Sequence, residues 1–482
     1  MRRSLILLAA VAATWSAPAV LAEGLPELGE ASQADFSPQT EKKVGESIMQ
    51  EIRLKEPSYL DDPEVESYLN RLGHRLASNS EGARQDFEFF ALRDNTLNAF
   101  ALPGGYIGVH TALIEATQSE SELASVLSHE ISHVTQHHIA RGVSQQSQSY
   151  MTTLLSLAAA ILAARHGGDA AQGALIAGQA AGVQQQLGYS RDFEREADRM
   201  GIQVLERSGY DVRGMASFFE RLQRSSRLYE NNAPGYLRTH PLTTERIADM
   251  ENRIQSMPYH QVPDSLDFQL VRAKLRSQEG APQDAATEFE TQLKERKFSS
   301  EAAARYGLAQ ALSRVKNYAG AEAQIAELRR LKAASPMIET LAADLRVKQN
   351  DVSGAIRLLR GAASRYPTER AISYALVDDL LAANQPQEAL KVTVGDLQAY
   401  TTDFRMHELQ AKTYAALGKH LQQHRAQGEA YYLQGLLMPA IEQFELAQKA
   451  DDGDFYEHSQ VDARLRALKR RQAEEAKQKR QP

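Results

Sequence analysis

The chain has 482 residues, a net charge of −7, 43% apolar and 24% charged residues, and no cysteine. This length permits two to four domains with a sizeable core, and the acidic balance argues against a nucleic-acid partner. The missing thiol excludes disulfides, thiolate metal ligands, a cysteine nucleophile and lipid attachment at cysteine, so any metal must be held by His, Asp or Glu.

Residues 1–22 read as a secretory signal peptide. Arg2 and Arg3 precede an apolar run from Leu5 to Val11, and Val20-Leu21-Ala22 offers a cleavage point before Glu23. The run is too short to be a good membrane span. Export by this route suggests a bacterial periplasm. After a loose lead-in, Asp62-Pro63 opens a helix with Val65, Tyr68, Leu69, Leu72 and Leu76 on one face. The segment 87–110 has aromatic and branched residues on both sides of Pro103-Gly104-Gly105, which predicts a strand pair around a turn. Ser119 and Glu122 form a capping box for the next helix, and Gly142 is its expected stop.

That helix carries SVLSHEISHVTQHH, residues 125–138, with His-Glu-x-x-His inside it. Residues i and i+4 share a helix face, so His129 and His133 can point both imidazoles at one ion. Glu130 is rotated about 100° from His129 and can lie beside that ion, where a general base belongs. His137 and His138 read as surface or packing residues. Two histidines leave a catalytic zinc one protein ligand short. SRDFEREADRMG, residues 190–201, supplies Glu194 and Asp198 on one face: Glu194 as third ligand, Asp198 as acceptor for a ligating imidazole. His240 stands before Pro241, which predicts a loop ahead of a helix near Thr244. His240 or Arg246 could donate to a developing oxyanion, and His240 could instead be a fourth, resting ligand. The strand near 98–102 could hold an extended substrate by β-addition.

The apolar stretch 151–182 reads either as a packed helical hairpin over the site or as a lid or peripheral membrane contact. From about residue 263 the chain becomes helix after helix. Ala321, Ala355 and Ala389 stand 34 residues apart, with Ala343, Leu359, Ala362 and Pro367 in matching register, the pattern of tetratricopeptide repeats. Between Ala389 and Ala440 the step is one and a half periods, so one helix pair there is irregular. Stacked repeats leave a concave surface for another protein. The end, 463–482, is basic and reads as a solvated or frayed helix end, or as a contact for an acidic surface. The expected fold is mainly α with a small β-sheet: a metallopeptidase domain over 23–262, a tetratricopeptide α-solenoid over 263–462, and a basic tail.

His-Glu-x-x-His followed by Glu-x-x-Ala-Asp, together with NAFALPGGYIGVHTALI (98–114) and THPLTTERIADM (239–250), resembles the gluzincins of the HtpX and CAAX prenyl-protease type. With the leader and the repeats, the likeness is to a soluble periplasmic branch and covers nearly the whole mature chain. The resemblance implies one zinc ion at His129, His133 and Glu194, with Glu130 as catalytic base. It also implies outer-membrane β-barrel proteins as clients, to be folded or removed, and docking to the β-barrel assembly machinery through the repeats. The competing expectation is a repeat-based chaperone or scaffold whose zinc is structural. An intact Glu130 favours the enzyme, because a structural site has no use for a base.

Overall fold

The computed structural model describes residues 37–81, 85–146, 191–228 and 235–478. The signal segment and the apolar stretch 151–182 lie outside them. α1 (Pro38–Lys55) starts where the Ser37 hydroxyl accepts from the Thr40 N–H. α2 (Pro63–Ala77) starts where Asp62 accepts from the Glu64 and Val65 amides. After α2 run β1 (Glu88–Leu92), β2 (Ala99–Leu102), β3 (Tyr106–His110) and the short helix α3 (Thr111–Ala116). β2 and β3 pair antiparallel around Pro103–Gly105, as the sequence predicts. β1 lies parallel to β3 on its other side, giving the order β1-β3-β2 and leaving β2 on the edge.

The sheet is buried on both faces. α1 covers Phe90, Leu92, Phe100 and Leu102. α2 and α4 (Glu120–Thr135) cover Phe89, Ala91, Ala99, Ile107 and Val109. α1 approaches so closely that a Cβ at Gly45 would fall 1.9 Å from the Pro103 carbonyl oxygen. That contact holds the turn after β2 against the helix. α5 (His138–Gln146), α6 (Arg191–Arg207), α7 (Arg213–Leu228), α8 (Gly235–Thr239) and α9 (Thr244–Gln255) complete this half.

The second half is a right succession of helix pairs: α10 (Leu266–Gln278) with α11 (Pro282–Glu295), α12 (Glu301–Arg314) with α13 (Tyr318–Arg330), α14 (Pro336–Lys348) with α15 (Val352–Arg365), and α16 (Arg370–Ala382) with α17 (Pro386–Ala399). Ala321, Ala355 and Ala389 are fully buried in the second helices. Close crossing explains the small residues: a Cβ at Gly307 would meet the Phe289 ring at 2.3 Å. The one-and-a-half-period step is a single extra helix, α18 (Phe404–Ala416), after which α19 (His420–Leu433) and α20 (Leu437–Lys449) pair again. α21 (Phe455–Gln478) runs through the basic tail, and Val461, Leu465 and Leu468, spaced along one face, are buried with Ala440 and Phe444. Among the described residues, no helix is long and apolar enough to cross a membrane.

The repeats pack against α2 of the peptidase half. Lys274 of α10 reaches Asp62 and Glu64, each at 2.6 Å. Thr340 of α14 donates to Glu64, Arg71 pairs with Glu369 at the start of α16, and Arg405 of α18 contacts Glu66 at 3.2 Å. One buried apolar cluster runs from Leu60 to Leu345, across the boundary near residue 262. Burial opposes the charge on Lys274, but Glu64 and Asp62 outweigh it and raise its pKa. Lys274→Met therefore leaves two partly buried carboxylates without their cation, and is expected to lower stability by about 1–3 kcal/mol. Denaturant unfolding of the full chain measures it, and a change within error of zero would show that the seam does not depend on this pair.

Candidate metal centre

α4 is buried around its whole circumference near the motif: His129, Glu130 and His133 are each 0% exposed. Its serines stay satisfied by bonding back to the preceding turn, with Ser128 Oγ donating to the Ser125 carbonyl at 2.9 Å and Ser132 Oγ to Ser128 at 2.7 Å. Ser119 caps the helix through the Glu122 N–H, 3.2 Å away. The Glu122 carboxylate serves Gln118 N–H, Ser217 and Arg221 instead of closing the box. The helix stops at Thr135, not at Gly142, which lies inside α5. His137 at φ 53° turns the chain in the left-handed region, and α5 then starts back toward the motif.

α6 crosses α4 at Gly201, where a Cβ would sit 3.3 Å from the His129 nitrogen. That close crossing lays Glu194 and Asp198, both buried, along the motif. α8 and the loop after it bring His240 in from the other side. The Thr243 hydroxyl caps α9, and Arg246 extends from its first turn.

The side chains converge. His129 Nε2 and His133 Nε2 are 3.0 Å apart. Glu194 Oε2 lies 3.5 Å from the first and Oε1 3.4 Å from the second. His240 Nδ1 is 3.0 Å from Glu194 Oε1, and one donor atom from each of the four residues lies within 4.8 Å of every other. Behind them, His129 Nδ1 is 3.0 Å from Asp198 Oδ1. Arg246 grips Asp198 at 2.7 and 2.8 Å. Its remaining nitrogen meets Glu194 and the Pro241 carbonyl, both at 2.7 Å. All three guanidinium nitrogens are thus engaged with this chain, and they hold Asp198 and Glu194 in place behind the ligands. Glu130 has no hydrogen-bond partner on either oxygen. The Nε2 of His240 stands 3.5 Å from it.

The electrostatics fit a divalent cation. Burial works against charge on His129, yet Asp198 and Glu194 outweigh it and hold its pKa up at about 9. Burial drives His133 down to about 3, with charged His129 adding to the fall. One ring accepts a positive charge and its neighbour then cannot, as two lone pairs 3.0 Å apart require. Burial would raise Glu194, but His240, His129 and His133 hold it well below the usual carboxylate range. Burial raises Glu130. Two imidazole nitrogens and a carboxylate, buried together, are the donor set a zinc-like ion takes.

Sequence reasoning missed two contributors. His138, read as surface or packing, touches His133. Tyr236, on α8, stacks on His240 with ring centroids 4.7 Å apart, and its buried hydroxyl has no hydrogen-bond partner. Neither sits in a ligand motif. The spacing of His138 on a continuous helix would have pointed it away; only the break at His137 brings it back.

Residues 63–254 match the model of peptidase family M48. The chain is 33% identical to the β-barrel assembly-enhancing protease of Yersinia pestis, an alignment that covers 92% of each chain. It is 32% identical to the protein of that name from Escherichia coli K12, over 97% of this chain and 96% of that one. The mitochondrial metalloendopeptidase OMA1 of Arabidopsis thaliana is 27% identical over 42% of this chain and 39% of its own. On the strength of the near full-length matches, the chain belongs to peptidase family M48 and is a metalloprotease.

Proposed function

We propose that the protein is a periplasmic zinc endopeptidase that acts on outer-membrane β-barrel proteins, assisting their assembly and removing misfolded forms. The observation that carries the enzymatic reading is Glu130: a fully buried carboxylate with both oxygens unpartnered, set beside three converging ligands. Leaving such a group unpaired is costly, and a merely structural metal site gains nothing from it. The client class is taken from the proteases this chain resembles and from its protein-docking repeats. His129, His133 and Glu194 would hold the zinc. When bound, the ion supplies Lewis acidity toward a water and the scissile carbonyl.

The chain's own groups do the rest. Glu130 accepts the proton of the attacking water and passes it to the leaving amine. Burial favours its protonated form, which suits a group that must hand the proton on. Asp198 keeps the His129 ring turned to the ion, and Arg246 keeps Asp198 and Glu194 in place. β2 binds the substrate main chain. Asn98 O accepts from His110 N–H on the β3 side, so alternation turns Ala99 and Ala101 toward the open edge. An extended segment of any sequence can add there. His240 serves as the fourth donor at rest and holds the site shut: it belongs to the four-residue cluster and is 1% exposed. Substrate entry has to move it.

Four substitutions test this reading. Glu130→Gln should keep the metal and the fold yet cut peptide hydrolysis by about 10²–10⁴-fold, since it removes the base and no ligand; cleavage of an unfolded protein at the wild-type rate would sink the mechanism. Metal analysis separates the carboxylates of α6. Glu194→Gln should lose zinc and Glu196→Gln should retain it, and the reverse outcome would move the third ligand. For His240→Ala, faster cleavage with self-cleavage supports the resting latch. Slower cleavage with zinc retained would assign the oxyanion-donor role instead.

A further inference from the structure

His138 is 0% exposed, although it lies outside the ligand set. Its Nδ1 lies 2.8 Å from His133 Nδ1, and its Nε2 lies 3.1 Å from Glu196 Oε2. The ring is stacked flat on Phe193, centroids 4.5 Å apart and planes 8° apart. Arg141 holds Glu196 at 2.8 Å. His138 and Arg141 come from α5 and Phe193 and Glu196 from α6, so two helices build this arrangement around one ring.

Two imidazole nitrogens 2.8 Å apart share one hydrogen: one donates and the other accepts. If His133 gives its Nε2 lone pair to the metal, its Nδ1 carries the hydrogen and donates. His138 must then accept at Nδ1 and carry its own hydrogen at Nε2, where Glu196 accepts it. We propose that His138 is a positioning residue of the metal site: its Nδ1 lone pair fixes the ring of His133, and the Glu196–Arg141 pair fixes the tautomer that makes this lone pair available. The proposal rests on His133 as a ligand, as assigned above.

The arrangement also explains why a histidine stands here and not an acid. His129 Nδ1 already faces a carboxylate, Asp198, at 3.0 Å, which raises the basicity of that ring. A second carboxylate against His133 would add another buried acid to a cluster that already holds three carboxyl groups, Glu130, Glu194 and Asp198. A neutral imidazole orients the ring without that charge. The negative end of the chain of bonds is displaced to Glu196, whose side chain is 24% exposed and paired with Arg141.

The test uses the full mature chain loaded with zinc. Nitrogen-15 NMR of labelled histidines reads the tautomer directly, and His138 should be neutral with its hydrogen on Nε2; a hydrogen on Nδ1, or on both nitrogens, overturns the proposal. His138→Phe keeps a ring to stack on Phe193 but removes the acceptor. It should release zinc to a chelator about 10–100-fold faster and alter the visible spectrum of the cobalt-substituted protein. His138→Asn returns an accepting oxygen and should recover much of the loss. A folded His138→Phe protein with the wild-type release rate and cobalt spectrum overturns the proposal. Where that variant does not fold, the tautomer decides. Wild-type protein that binds no zinc would overturn the ligand assignment itself, so the two failures are distinguishable.

Discussion

The peptidase half depends on one helix crossing. At Gly201 the backbone of α6 comes within reach of the backbone of α4, and everything in the site is positioned from that contact. Two turns of α6 then lie along the motif, with Glu194 and Asp198 facing the imidazoles. A side chain at 201 would press on His129 and wedge the helices apart, and shifts of a few tenths of an ångström matter where three donors must meet one ion. The crossing also determines what else is needed. It buries acids that have lost their hydration, so Arg246 must come in from α9 to pair with two of them at once.

Much of this was legible in the sequence because it is periodic or local. The i, i+4 spacing of His129 and His133 gives a shared helix face whatever surrounds it. The same argument selects Glu194 with Asp198 and separates them from Glu196, which the structure turns to Arg141 and His138. The turn at Pro103–Gly105 and the caps at Asp62 and Ser119 are equally local. The repeats declare themselves through the spacing of Ala321, Ala355 and Ala389.

What the sequence hid is set by long-range packing. No local rule says that β1 lies parallel to β3, or that Arg246 spends its donors on Asp198 when a loop arginine facing substrate has the same signature. His138 returns to the site only because His137 adopts a left-handed conformation unusual for a non-glycine residue. The helix end is mostly solvated, as its composition suggests, but Leu465 and Leu468 pack with Val461 in a small apolar cluster that its conspicuous charge conceals. The seam between the halves is the clearest case: nothing in 263–462 announces that α2 of the other half packs against α10, α14 and α16.

That seam bears on how the molecule can be divided. Repeat arrays are usually modular, and end units can be trimmed because each touches only its neighbours. Here the first units share their interior with the protease. Phe268, Leu270 and Val271 of α10 are fully buried in the same cluster as Tyr68, Leu69 and Leu72 of α2. Severing the chain at residue 262 would turn that interior into two matching sticky surfaces. A graft of either half onto a foreign partner must therefore supply a cover for α2 or for α10.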